Sequence, residues 1–357
     1  MTLQGATTAD AARVDATPHH YDALLVMSFG GPEGHDDVMP FLRNVASGHG
    51  IPEARLATVA DHYHHFGGVS PINQQNRALI GALRAEFDAH GLNLPVYFGN
   101  RNWQPYVADT IREMRAHGVK RALVFVTSIF SSYSGCRQYR EDILKACASL
   151  GEGVPVFDKL RSAYNHPGFI AAMGDRVRDA LDAFPAGERD SVQLVFTAHS
   201  IPMSQALGSD YVAQLNEACR LVTESLGRSE YRLVYQSRSG SPHTPWLEPD
   251  ILDVLPSMHD AGVARLVVAP IGFMSDHMEV IYDLDTQAKE LAEKLGMHMV
   301  RAGTPGTHPA FVSAIREMIM ERTTAGTPRL SLGTRGPSHD ICPMDCCRKG
   351  ESGRPHA

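Results

Sequence analysis

A chain of 357 residues, 43% hydrophobic and 20% charged, has ample apolar material for a core and lacks the charge excess of a disordered polymer, so a globular protein of two domains is expected. Thirty-three Lys and Arg against 40 Asp and Glu leave a net charge of −7, which argues against a nucleic-acid surface. With no apolar run of about 18 residues, no signal-peptide pattern at the start and too few cysteines for a disulfide scaffold, the expectation is a cytoplasmic protein without an integral membrane segment, its thiols free or bound to metal.

Residues 1–19, rich in Ala and Thr, are expected to form a loose leader. From Asp22 onward, short apolar runs alternate with longer helical patterns. DALLVMSF (22–29), LPVYFG (94–99), RALVFVTS (121–128), VQLVFTA (192–198), YRLVYQS (231–237) and ARLVVAP (264–270) are nearly continuous in hydrophobicity, as parallel strands covered on both faces require. Between them, 72–91, 104–118 and 279–296 repeat apolar residues every three or four positions and end at Gly, which predicts amphipathic helices. Strand and helix alternating in this way define an α/β fold of doubly wound, Rossmann-like units. The order strand, Pro-containing loop, helix, Gly, strand occurs twice, with Gly118 and Gly262 lying 144 positions apart. Two similar domains, 20–155 and 156–325, followed by a Cys-rich tail, 326–357, are the reading. Ligands of such sheets bind beyond the carboxyl ends of the strands, which selects the loops at Phe29, 128–135, His199 and 273–279.

Three constellations in or near those loops carry chemistry. His199 directly follows a strand, as a base or metal ligand would, although one of 18 histidines can equally be a satisfied loop residue. Ser275, Asp276, His277, Glu279 and Asp283 follow another strand. Ser275 or Asp276 can serve as a helix cap, yet Asp276, Glu279 and Asp283 at i, i+3, i+7 would line three carboxylates along one helix face, a path suited to a hydrated divalent cation. Cys342, Cys346 and Cys347 crowd a polar tail with no core to join, and three thiolates need a fourth ligand to close a zinc site or a two-iron cluster. Cys136, expected on a strand-end loop, is the best donor, whereas Cys147 and Cys219 fall on amphipathic helices as packed thiols.

The segments FGGVSPIN (66–73), TAHSIPM (197–203) and PIGFMSDHMEVIYDLD (270–285) resemble those of ferrochelatases, and SSYSGCRQYRED (131–142) with the tail is similar to the actinobacterial branch. The resemblance implies two Rossmann-like domains with an intervening cleft. It also implies insertion of ferrous iron, as substrate, into coproporphyrin III in haem biosynthesis. His199 and Glu279 match the pair that meets the metal, and Asp276, His277 and Asp283 a polar path leading to it. Ser70 and Tyr139 match porphyrin-contacting positions, and Cys136, Cys342, Cys346 and Cys347 the ligands of a [2Fe-2S] cluster. Neutral imidazole is the expected working form of His199, with Arg43 and Arg140 as candidates for propionate contacts. The sequence departs from some relatives at Phe29, which cannot ligate iron, and at Gln287, which ends the acidic row. Protoporphyrin IX as substrate and a non-catalytic iron or iron-sulfur sensor are the competing readings. A monomer is expected.

Overall fold

The computed structural model describes residues 18–48, 50–239 and 243–350; residues 1–17 of the expected leader lie outside the described residues. In chain order the elements begin with β1 (Ala23–Ser28), α1 (His35–Ala46), α2 (Glu53–His65), α3 (Ile72–Ala89), β2 (Val96–Asn100), α4 (Val107–Ala116), β3 (Arg121–Val126), α5 (Gln138–Leu150) and β4 (Val156–Lys159). The second half runs α6 (Pro167–Leu181), β5 (Gln193–His199), α7 (Met203–Leu207), α8 (Tyr211–Ser225), β6 (Arg232–Gln236), α9 (Ile251–Asp260) and β7 (Arg265–Ala269). It closes with α10 (Met278–Val280), α11 (Lys289–Lys294), β8 (His298–Arg301) and α12 (Pro309–Thr323).

The strands form two parallel sheets of four, in the orders β2-β1-β3-β4 and β6-β5-β7-β8, so the second sheet repeats the first strand for strand. All six residues of β1 are buried, which is why its sequence shows no polar alternation. The edge strands β4 and β8 escape the sequence reading because they are only four residues long and partly polar. Since β4 pairs with β3 through Arg121↔Val156, the first sheet extends past the boundary expected at residue 155. The repeat reaches the loops as well: Asn100 N–H donates to Pro105 O at 2.7 Å and Tyr235 N–H to Pro249 O at 2.9 Å.

One apolar core unites the halves. Leu24, Val26, Leu123 and Phe125 of the first sheet join Phe196, Ala198 and Val267 of the second through α3, α6, α8 and α12, whose Phe311 is fully buried. Each such side chain contributes about 1.5–3 kcal/mol by leaving water. Separate clusters cover the outer face of each sheet, under α4 and α5 and under α9 and α11. Across the join, Arg161 and Glu321 form a bidentate pair at 2.7 and 2.8 Å with side chains 1% and 2% exposed. Among the described residues no helix is long and apolar enough to cross a membrane.

Candidate active site and cysteine centre

His199 ends β5, and its carbonyl is fixed by the Tyr211 hydroxyl at 2.9 Å. Behind it Gly272 permits a close approach: a Cβ there would lie 2.7 Å from Ala198 Cα. From this strand end the imidazole Nε2 faces the Glu279 carboxylate at 3.4 Å, while Nδ1 meets the Ser200 carbonyl. That carbonyl accepts only from a protonated Nδ1, so Nε2 is the nitrogen aimed at Glu279. Burial pulls the imidazole down, but the Glu279 carboxylate and the hydrogen bond to it outweigh this and push His199 up to about 9. Burial likewise opposes charge on Glu279, and His199 more than offsets it, bringing the carboxyl down to about 2. The side chains are 30% and 46% exposed, so water screens part of this attraction. The pair therefore holds its proton on the imidazole at neutral pH, not the neutral ring expected from the sequence.

The predicted row of three carboxylates does not form. The helix starts at Met278, capped by His277, whose ring accepts from the Glu279 N–H at 3.2 Å; Ser275 and Asp276 precede it. Asp276 turns away to Arg301 at 3.0 Å and to Gln75 of α3, whose side-chain oxygen takes the Asp276 N–H at 2.8 Å. Residues Ile281–Ala288 wind as a π-helix between α10 and α11, a wider turn that changes which side chains align. Glu279 and Asp283 stay neighbours. Burial, only partly offset by the Ser237 hydroxyl that donates to it, pushes Asp283 up to about 7. His277 lies beside Glu279 at 3.7 Å and is drawn below its ordinary value by burial.

The first domain reaches this site through Gln75 and through α2, where His62 stacks on Tyr282 with ring centroids 3.8 Å apart. Phe29, at the end of β1, remains 37% exposed beneath the Arg101 guanidinium. Ser70 and Tyr139 are buried, 3% and 4% exposed, so neither side chain offers a free face to solvent. Tyr139 lies under Arg101, whose guanidinium carbon is 4.6 Å from the ring centre, and Arg101 pairs with Asp142 at 2.6 Å. Arg43 forms a surface pair with Glu53, and Arg140 points to the tail carbonyls of Pro343 and Met344. Neither shows the propionate-facing arrangement that was expected.

Cys136 sits in a π-turn, Tyr133–Arg137, that leads into α5, rather than on an open loop, because Ser132 caps the turn through the Gly135 N–H. The tail brings Cys342, Cys346 and Cys347 to it. Cys346 and Cys347 sulfurs are 3.5 Å apart, Cys342 and Cys346 share a donor group within 4.8 Å, and Cys136 lies close enough to Cys342 and Cys347 for each to shift the other's ionisation, so the four cysteines form a ring of neighbours. Around this ring Cys136 and Cys346 are held below the ordinary thiol value by their neighbours, and Cys342 and Cys347 above it. Cys147 and Cys219 stay on α5 and α8, where burial raises both thiols. The tail is tied to both domains: Arg140 of the first donates to Pro343 O at 3.4 Å, and in the second Leu332 N–H donates to Asn165 O at 2.8 Å, Thr334 N–H to the Glu217 carboxylate at 3.2 Å, and Arg161 to Leu330 O at 2.7 Å.

A comparison with protein families matches residues 21–323 to ferrochelatase. This chain belongs to the ferrochelatase family. The family's curated relatives include a ferrochelatase of Rhodopirellula baltica, 55% identical over 92% of this chain and 93% of that one. Others are coproporphyrin III ferrochelatases of Streptomyces griseus, 52% identical over 92% and 94%, and Streptomyces coelicolor, 52% identical over 94% of each. SirB from Bacillus subtilis with Fe3+ shares the two-domain chelatase fold at a TM-score of 0.54 and 12% identity, over 87% of this chain and 100% of that one.

Several residues around these family motifs escape the sequence reading. Gln75, His62 and Tyr282 join the domains at the site and carry no motif. His339, whose Nε2 is 3.2 Å from the Cys342 sulfur, forms with Cys342 and Cys346 a donor group within 4.8 Å; its place three residues before Cys342 is a readable signal. Lys159, buried at the end of β4, is pulled down by burial and raised more strongly by Cys136 and its neighbours, and has no sequence signal at all.

Proposed function

We propose that this chain inserts ferrous iron into coproporphyrin III, giving iron-coproporphyrin III and releasing the two pyrrole protons. The observation that carries the reading is the His199–Glu279 pair, held at 3.4 Å beyond a strand end and open to solvent. A free-base porphyrin must bend and lose both N–H protons before a metal enters its centre. On one side of the ring the Glu279 carboxylate, and the His199 imidazole once it has passed on its resting proton, supply donors for the iron and acceptors for the pyrrole protons, and Asp283 and His277 extend that polar path from Glu279. The exposed Phe29 on the opposite domain offers an apolar face to the macrocycle, using binding energy remote from the reacting nitrogens to favour the bent ring.

The choice of coproporphyrin III draws on the named activity of the Streptomyces relatives. The test is an anaerobic assay with ferrous iron and each porphyrin, followed at the Soret band. Faster turnover of coproporphyrin III supports the proposal; preference for protoporphyrin IX overturns the substrate assignment, and no turnover of either overturns the activity.

The donor set fits a [2Fe-2S] cluster held by Cys136, Cys342, Cys346 and Cys347: four neighbouring cysteines, with Cys346 and Cys347 sulfurs 3.5 Å apart and three of the four on a tail that has no apolar core of its own. Such a group supplies folding free energy when bound and is not needed for metal insertion, which transfers no electrons. These residues fasten the tail between α5 and the second domain. Six cysteines, all free of disulfides, are consistent with the reducing cytoplasm proposed as its setting.

A further inference from the structure

We propose that His339 donates a hydrogen bond to the Cys342 thiolate of the four-cysteine centre, an outer contact that favours the reduced form of the cluster; this rests on the cluster reading above. His339 Nε2 lies 3.2 Å from the Cys342 sulfur, and the donor atoms of His339, Cys342 and Cys346 all fall within 4.8 Å of one another. Cys342 is 7% exposed and His339 is exposed, so the ring meets the sulfur from the solvent side. The backbone on either side of the histidine is fixed by one residue: Arg329 donates to the Ser338 carbonyl and pairs at 3.2 Å with Asp340, whose side chain is 3% exposed. A tail segment without helix or strand therefore still presents His339 in a defined place.

Five donors gather where a two-iron cluster takes four. Cys136, Cys342, Cys346 and Cys347 fill those places, which leaves His339 outside the ligand set but in contact with it. A thiolate bound to iron has no proton to give and only accepts, so the contact then runs from the imidazole N–H to sulfur. An added electron raises the negative charge on the sulfurs, and a hydrogen bond strengthens with the charge on its acceptor. The N–H therefore stabilises the reduced centre more than the oxidised one, and hydrogen bonds to the sulfurs are among the determinants of cluster potential. Arg137 and Arg140 also approach the tail, but they donate to the carbonyls of Cys346, Pro343 and Met344.

The test uses the full chain purified anaerobically, with His339→Ala, His339→Gln and, as an exposed control on α9, His259→Ala. Iron and acid-labile sulfide per chain are measured first, then the midpoint potential by dye-mediated titration of the visible bands, then the nitrogen couplings of the reduced centre by pulsed EPR. In His339→Ala the ratio of oxidised to reduced centre at the wild-type midpoint rises about tenfold, about 59 mV to the negative for a one-electron couple. His339→Gln, which keeps an N–H, recovers part of that shift, and His259→Ala shows none. The wild-type centre carries a weak nitrogen coupling that His339→Ala lacks. A wild-type potential in His339→Ala overturns the proposal, and an equal shift in His339→Ala and His339→Gln overturns it in favour of simple shielding. A strong coupling, as from nitrogen bound to iron, or loss of iron and sulfide in His339→Ala overturns it in favour of ligation. Wild-type protein without iron and sulfide is the distinct result that removes the cluster reading, and this proposal with it.

Discussion

Replacing Glu279 by Gln keeps the shape of the side chain and removes its charge, so it asks whether the carboxylate is what keeps a proton on His199. Coulomb's law at the observed 3.4 Å gives about 1.2 kcal/mol in bulk water and about 5 kcal/mol at an effective dielectric of 20, equivalent to about 1 and 3.5 pKa units. A pair that is part exposed and part covered belongs between these limits, and the imidazole at about 9 stands some two to three units above a free histidine. Without the charge, burial is the largest remaining influence and lowers the value. The His199 midpoint in Glu279→Gln is therefore expected to fall by about 2.5 units or more, to or below an ordinary imidazole. The measurement is a proton–carbon NMR titration of the His199 ring without substrate, assigned with His199→Ala. The same shift is expected in the pH profile of kcat/KM for iron insertion, the limb near pH 9 moving toward neutrality while the rate falls. A midpoint that stays near 9 in Glu279→Gln refutes the electrostatic account, whatever happens to the rate.

Gly272→Ala pushes a methyl into the Ala198 backbone and is expected to cost about 1–3 kcal/mol and displace His199; a wild-type melting curve and turnover would contradict the packing argument. Arg161→Met leaves Glu321 buried without its partner, with an expected loss of about 3–5 kcal/mol in denaturant unfolding. A loss below about 1 kcal/mol would show that the pair is dispensable. Cys346→Ser is expected to lose the iron and sulfide content and to melt several degrees lower, and unchanged metal content counts against the ligand set. The raised value of Asp283, about 7, means that between roughly pH 4 and 7 the unfolded chain has released a proton the folded one retains. Its contribution to stability is thus complete below pH 4 and lost as the pH rises through 7. Asp283→Asn is expected to flatten that part of the stability curve, and an unchanged slope would refute the shift.

The central strands and the chemistry at their ends were readable because both follow from burial. Strands covered on both faces, such as β1 and the middle of β5, must be largely apolar, so a polar residue closing one, as His199 does, stands out. The edge strands β4 and β8 were not readable, since four residues, half of them polar, carry too short a pattern. The two π segments defeat spacing arguments for a different reason: a rule built on 3.6 residues per turn misassigns side chains wherever the turn widens. Asp276 was placed in a row with Glu279 for another reason, since the helix begins only at Met278, and Cys136 was placed on a strand-end loop because the short turn Tyr133–Arg137 carries no apolar repeat. The tail cysteines showed in their crowding, but Lys159 did not, because nothing in VFDK announces that its lysine will be buried. Arg43 and Arg140 turn to Glu53 and to tail carbonyls, partners that charge alone does not announce.

The apolar interior that runs unbroken from one sheet to the other, bridged by α12, bears on how a flat tetrapyrrole is forced out of plane. Two lobes that share a single close-packed centre cannot swing like the halves of a clam without tearing it open. Strain on the ring must then be applied by small parts anchored to a stationary frame, with α2 and the widened helix at Tyr282 pressing together at their stacked rings. Mutations that loosen that contact should blunt the bending while leaving the frame standing.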